Sequence, residues 1–83
     1  MIYAIGDGNK VKIGYSKNPQ RRLRQLQTGH PNKLKLLHTW EGDKLAEKRI
    51  HYILKPLRLR HNSEWFKISL NDLGIIDEIL AKV

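Results

Sequence analysis

Residues 11–22 read VKIGYSKNPQRR, and this stretch decides the fold of the chain. Apolar residues alternate with Lys12 at its start, which is the pattern of a half-buried strand. Asn18 is able to cap free helix amides, and Pro19 suits the first position of a helix. The stretch therefore predicts a strand that ends near Gly14 and turns directly into a helix.

A second short strand is predicted at residues 2–5, and residues 6–10 between the two strands are rich in turn formers. The two strands should therefore form a hairpin. A two-residue turn would pair Tyr3 with Gly14 and place Lys12 on the same face, because side chains alternate along a strand. We expect Gly14 to leave space for the Tyr3 ring.

The composition limits the class of protein. The chain has 83 residues and no cysteine, so we assign one domain over residues 1–83 and exclude disulfides and thiolate metal sites. No apolar run approaches the length of a membrane span, and the N-terminus lacks the design of a signal peptide. We expect a cytoplasmic protein of a bacterium or a phage-infected cell, or a nuclear one in a eukaryote.

The charge predicts the partner. The net charge is +8, and six basic residues fall within fifteen positions: Lys10, Lys12, Lys17, Arg21, Arg22 and Arg24. Such clustering favours a nucleic acid over a membrane or an acidic protein, because cations bind the phosphate backbone. We expect DNA more than RNA, a preference that the charge itself does not decide. The expected backbone contacts are Lys17, Arg21 and Arg24, with Arg58 and Arg60 in a basic connection further along.

The remaining chain predicts two more strands and two more helices. We place the helices at about 19–27, 44–54 and 69–81, and strands at 33–40 and 64–68. The strand at 33–40 becomes apolar on both faces, so we expect it to be covered on both sides. The strand at 64–68 resembles an edge strand. The second helix should turn Ala46, Ile50, Ile53 and Leu54 towards the core. The order is ββαβα with a C-terminal short strand and helix, an α+β fold with a small sheet.

Few residues suggest chemistry by spacing alone. There is no Walker phosphate loop, no Gly-x-Ser-x-Gly elbow and no His-Glu-x-x-His, and the histidines lack metal-motif spacing. Glu47 stands out because it borders the apolar stripe of its helix. Spacing alone favours a structural role, in which Glu47 pairs with His51 at i,i+4 or with an arginine.

The order of several residues resembles that of the GIY-YIG nuclease superfamily. Met1-Ile2-Tyr3 stands for the first motif and Lys12-Ile13-Gly14 for the second, followed by Arg22 and by Glu47 on the next helix. The later Glu64-Trp65-Phe66 resembles the phage and meiotic-gene branch of that superfamily. The resemblance covers about residues 1–69.

This resemblance implies a three-stranded antiparallel sheet flanked by helices, and a metal-dependent hydrolysis of phosphodiester bonds. It gives Tyr3 and Gly14 as motif residues, Arg22 as the catalytic arginine and Glu47 as the metal-binding glutamate. Lys12 departs from the pattern by replacing the tyrosine of the second motif. Two further departures lie downstream, where Leu26 replaces a usual Tyr or His, with His30 as a substitute one turn on, and Asn62 loosely matches a late asparagine.

The chemistry expected of such a site leaves the general base open. Glu47 would hold Mg²⁺ or Mn²⁺, and Arg22 would bind the scissile phosphate in bidentate fashion. Tyr3 would deprotonate the water if Lys12 lowered its pKa, or a neutral Lys12 would itself be the base. Tyr15 is a third candidate, although alternation points it to the opposite face from Tyr3.

Two other classes of function stay open at this point. The first is a catalytically inactive nucleic-acid-binding module on the same fold, since Lys12 replaces a tyrosine. The second is a protein-interaction role, which no residue specifically supports. A nuclease without a further reading domain should be weakly specific alone, act as a homodimer, or depend on a protein partner.

Overall fold

The structure, a computed structural model, describes residues 1–59 and 63–82. Its elements follow the predicted order: β1 (Ile2–Gly6), β2 (Val11–Tyr15), α1 (Pro19–Thr28), β3 (Lys35–Trp40), α2 (Lys44–Ile53), β4 (Trp65–Phe66) and α3 (Gly74–Ala81). Two short 3₁₀ turns, Lys55–Leu57 and Leu70–Asp72, follow α2 and precede α3. The α+β fold class is confirmed.

The predicted hairpin is confirmed with its register. β1 and β2 pair antiparallel, and Tyr3 lies opposite Gly14. Gly8 has a φ of +96°, in the left-handed region that favours glycine. The Asp7 carboxylate closes the turn by accepting hydrogen bonds from the amides of Asn9 and Lys10, both at 2.9 Å.

The sheet has four antiparallel strands in the order β3-β1-β2-β4, so the expected count of three was wrong. The added strand is the predicted edge segment, which pairs with β2 through Trp65 and Phe66. We also expected β3 to be covered on both faces, which was wrong. β3 is an edge strand with an exposed His38, whereas the central β1 is buried throughout.

The two faces of the sheet pack against different helices. One face carries Ile2, Ala4, Val11 and Ile13 into the main core with residues of α2 and α3. The other face carries Tyr3 and Ile5 into a smaller core, against Leu23 and Leu26 of α1. Alternation along β1 therefore separates Tyr3 from the main core.

The helix starts agree with the cap residues. The Asn18 side chain accepts a hydrogen bond from the amide of Arg21 at 3.1 Å, and Asp43 accepts one from Ala46 at 2.9 Å. No helix in the described part of the chain is long and apolar enough to cross a bilayer.

Two helix details were wrong. Ile53 is 44% exposed, because the buried stripe of α2 runs through Ala46 and Ile50 to Leu54 as the helix ends. The closing helix begins at Gly74 and not near Ser69. The Ser69 hydroxyl donates to Asp72 at 2.8 Å, but this contact accompanies a 3₁₀ turn instead of the first helical turn.

The hairpin turn predicts a pH dependence of stability. Burial alone would raise the pKa of Asp7, but hydrogen bonds from the Lys10 side chain and the turn amides lower it to about 2. Because this folded pKa lies below the ordinary 3.8, the stabilisation is complete above 3.8 and disappears as the pH falls through about 2.

We therefore expect Asp7→Asn to lower the free energy of unfolding at pH 7 by about 1 kcal/mol, the size of one solvent-screened, charge-assisted hydrogen bond. Urea denaturation from pH 7 to pH 2 should show this difference shrinking below pH 3.8. Glu78→Gln on the exposed face of α3 is the control. A difference that stays constant with pH contradicts this account.

Candidate functional site

The candidate site is built around the backbone of Ile13, on the side of β2 that faces β4. Its amide donates to the carbonyl of Glu64 at 3.0 Å. Its carbonyl accepts a hydrogen bond at 2.7 Å from Nε2 of His51, which lies on α2. One backbone position therefore holds both the segment before β4 and the imidazole of α2.

Three potential ligand side chains meet beside this edge. Glu47, His51 and Glu64 each offer one ligand atom, and these atoms lie within 4.8 Å of one another. All three residues are half-buried. Because Nε2 of His51 donates its proton to Ile13, Nδ1 of that tautomer keeps a lone pair that is able to bind a cation.

The electrostatics of the cluster favour a cation. Burial raises the pKa of Glu47, and the negative charge of Glu64 raises it further. The charge of His51 in its protonated form opposes this rise, as do the charges of Lys44 and Lys12, without cancelling it. The charge of Glu64 disfavours the ionised form of Glu47, and a cation between the two carboxylates relieves this repulsion.

Lys12 is held in the same place by an ion pair. Its ammonium lies 3.0 Å from a carboxylate oxygen of Glu64, and its side chain is only 12% exposed. It also lies 5.6 Å from the centre of the Trp65 ring. An ammonium in an ion pair has no lone pair, so this geometry counts against the neutral amine of Lys12 as the general base.

The pKa of Tyr3 differs from the prediction, because it is raised and not lowered. The side chain is 1% exposed, and burial raises its pKa, with further increases from the charges of Glu64 and Glu47. The Arg22 guanidinium opposes this rise as a hydrogen-bond donor and as a charge. The expected lowering of the Tyr3 pKa was therefore wrong, because burial of the phenol is the largest influence on it.

The Tyr3 hydroxyl interacts with Arg22 and with the carboxylates of the cluster. Arg22 on α1 lies beside the Tyr3 hydroxyl, and both carboxylates of the cluster act on the same phenol. Tyr15 lies on the other face, as predicted: it pairs with Ile2 of the main core, and the Lys44 ammonium is 6.0 Å from its ring centre.

The comparison with family models gives one finding. The model described as T5orf172 domain matches residues 1–83. The chain belongs to the T5orf172 domain family. Neither the comparison with curated proteins nor that with solved structures gives a match. The resemblance of this T5orf172 domain to GIY-YIG nucleases stays a prediction.

The predicted backbone-contact residues of this T5orf172 domain lie in different environments. Lys17, Arg21 and Arg24 are exposed. Arg58 is half-buried, and its backbone forms an isolated bridge with Phe66. Arg60, like the Asn62 that we matched to the family asparagine, lies outside the described residues. None of these contacts is tested by the structure.

His30, considered as a substitute for the missing ring after Arg22, lies near the hairpin turn. Its ring centre is 5.6 Å from that of Trp65, and its Nε2 is 3.8 Å from the Asp7 carboxylate. The position that it would replace, Leu26, packs against the smaller core. These contacts give His30 a structural environment.

Sequence reasoning missed two members of this cluster. His51 was seen only as an i,i+4 partner of Glu47, although that spacing also suits two ligands on one helix face. Glu64 was seen only as part of a motif. Its place in the T5orf172 domain depends on the pairing of β4 with β2, which local patterns do not specify.

The Tyr3–Gly14 contact makes a prediction about packing. A Cβ at position 14 would overlap the hydroxyl and ring of Tyr3, which is buried and unable to move freely. We expect Gly14→Ala to lower the free energy of unfolding by about 1–3 kcal/mol, as overpacking does. Urea denaturation measures this loss.

The matched control is Gly74→Ala at the start of α3. A Cβ there meets nothing within 4 Å. We expect equal or greater stability from this control, since alanine favours a helix over glycine. Equal losses from both substitutions would contradict the claim that the Tyr3 ring needs a glycine at position 14.

Proposed function

We propose that this T5orf172 domain is a small metal-dependent endonuclease that hydrolyses DNA phosphodiester bonds. The cluster of Glu47, His51 and Glu64, with Arg22 and Tyr3 coupled to it electrostatically, carries the proposal. The family is itself related to nuclease-type domains, which supports a nucleic-acid role.

The ligand set fits a divalent cation. Carboxylate oxygens suit Mg²⁺ and Mn²⁺, and the imidazole of His51 shifts the preference towards Mn²⁺. The hydrogen bond from His51 to the carbonyl of Ile13 is the kind of support that ligating histidines have. When bound, such an ion supplies charge neutralisation at phosphorus and a more acidic water.

The chain's own residues supply the remaining functions. Arg22 is the group that binds the phosphate oxygens, because its guanidinium forms two parallel hydrogen bonds with them. Tyr3 remains a neutral phenol, since its pKa is raised, and it orients Arg22 instead of accepting a proton.

The exposed cations complete the binding surface. Lys17, Arg21 and Arg24 follow β2 or lie on α1, close in sequence to Arg22. They are suited to phosphate contacts that position the strand without reading its sequence. The domain by itself should therefore cut DNA with low specificity.

The test is nicking of supercoiled plasmid with Mg²⁺ or Mn²⁺. We expect the wild-type protein to nick, more strongly with Mn²⁺. Glu47→Ala should lose at least about 10- to 100-fold of this activity, because loss of a residue that only supports a metal ligand already costs that much. Glu78→Ala is the matched control, because it removes an equal charge from an exposed position on α3. It should nick like the wild type.

Equal nicking by wild type and Glu47→Ala contradicts the assignment of the metal ligand.

One observation favours a second candidate, a binding module without catalysis. The ion pair with Lys12 neutralises Glu64 without any metal ion. In that case no variant nicks DNA in either metal, and DNA is still retained on a gel at low salt in the presence of a chelator. The same plasmid assay therefore separates the two functions.

A further inference from the structure

A cleft of about 700 Å³ lies at the hairpin end of the sheet. Its lining comes from the turn between β1 and β2, from residues 33–37 and from residues 67–72. Tyr3 and Gly14 occupy the other end of the same two strands. The cleft is therefore separate from the candidate metal cluster.

The floor of the cleft is apolar. It includes Val11 and Ile68, which are buried, and the half-buried Leu37. Leu70 also lines it and is 62% exposed. A large apolar side chain left this open beside a cleft provides a surface on which a flat ring is able to pack.

The rim of the cleft is cationic. Lys33, Lys35 and Lys67 line it and are exposed, and no ion pair involves them within residues 1–59 and 63–82. Of the two acidic residues in the lining, Asp7 pairs with Lys10 at 2.6 Å. Asp72 accepts the Ser69 hydroxyl at 2.8 Å, and no ion pair joins it to the three lysines within the described residues. The three lysines are therefore available to an anion.

We propose that this cleft binds one unpaired nucleotide of a DNA strand. The base packs on the apolar floor, and the flanking phosphates contact Lys33, Lys35 and Lys67. An inorganic anion would not use the floor, and an apolar ligand would not use the lysines. A nucleotide uses both, because it joins an apolar ring to a charged phosphate.

The cleft and the candidate site share strand β1. The identification of the ligand as a DNA strand rests on the proposed function. Gly6, in the lining, is three residues from Tyr3 along β1, which corresponds to about 10 Å. Stacked nucleotides advance by about 3.4 Å each. Along the strand direction, this separation corresponds to about three stacked nucleotides.

The experiment measures binding of a fluorescent single-stranded oligonucleotide by anisotropy, in chelator, so that no cutting occurs. The variant is the triple substitution Lys33→Ala, Lys35→Ala and Lys67→Ala. We expect an affinity loss of about 10-fold or more, and a slope of log K against log salt that is smaller by about 2, since each phosphate contact contributes about 0.7.

The matched control removes the same charge elsewhere. It combines Lys48→Ala, Lys55→Ala and Lys82→Ala, three exposed positions outside the cleft lining. We expect its affinity to change less than about 3-fold, because it keeps the phosphate contacts at the cleft. Equal losses in the two triple variants overturn the proposal, since they would reflect net charge alone.

A second variant tests the floor without changing charge. Leu70→Ser alters an exposed position, so the fold should tolerate it. We expect it to weaken binding of the ordinary oligonucleotide several-fold, with an unchanged salt slope, and to leave binding of a fully abasic oligonucleotide unchanged. Equal effects on both oligonucleotides contradict packing of a base on the floor.

The outcomes also separate this proposal from the proposed function. Loss of binding in the cleft triple, in a protein that nicks no plasmid, supports the cleft and removes the nuclease. Metal-dependent nicking together with equal losses in the two triples removes the cleft and keeps the nuclease.

Discussion

The edge of β2 at Ile13 holds the candidate site together. β4 pairs with β2 at Val11 and Lys12, so the backbone groups of the next residue on that side must find other partners. The Ile13 amide donates to the carbonyl of Glu64, and the Ile13 carbonyl accepts from His51. The hydrogen-bonding needs of one peptide position therefore fix the segment before β4, the rotation of α2 and the tautomer of an imidazole. Glu47 is then placed by the helix, one turn from His51.

The site concentrates charge in a half-buried place. Burial raises the pKa of both Glu47 and Tyr3, and the charge of Glu64 raises both further. The charge of Lys12 opposes the rise at Glu47, and Arg22 opposes the rise at Tyr3. Burial strengthens each of these interactions, because the effective dielectric constant is lower than in water. A cluster of this kind gains from a divalent cation, and an anionic phosphate suits the arginine beside it.

Local signals in the sequence predicted much of the fold. The register of Tyr3 with Gly14 followed from the turn formers and from alternation, and the starts of α1 and α2 followed from Asn18 and Asp43. Such signals depend on neighbouring residues only. The predicted start of α3 was wrong because the contact between Ser69 and Asp72 accompanies a 3₁₀ turn, and the α-helix begins only after it, at Gly74.

The candidate site was only partly predictable, because its decisive contacts are non-local. Arg22 and Glu47 came from a family resemblance, whereas the place of Glu64 depends on β4 joining β2 across a connection. The prediction of a lowered pKa for Tyr3 was wrong for the same reason. Its environment depends on which carboxylates the fold brings near it, and adjacent residues do not determine that.

A titration of the ¹⁵N-labelled protein with Mn²⁺, followed by NMR, tests the central claim most directly. A bound Mn²⁺ ion broadens the signals of nearby nuclei. The account predicts that substoichiometric Mn²⁺ first broadens the signals of Ile13, His51 and Glu64, and that Glu47→Gln with Glu64→Gln abolishes this selectivity while the spectrum remains folded. Broadening that begins at exposed carboxylates such as Asp77 and Glu78, or that is unchanged in the double variant, would contradict it.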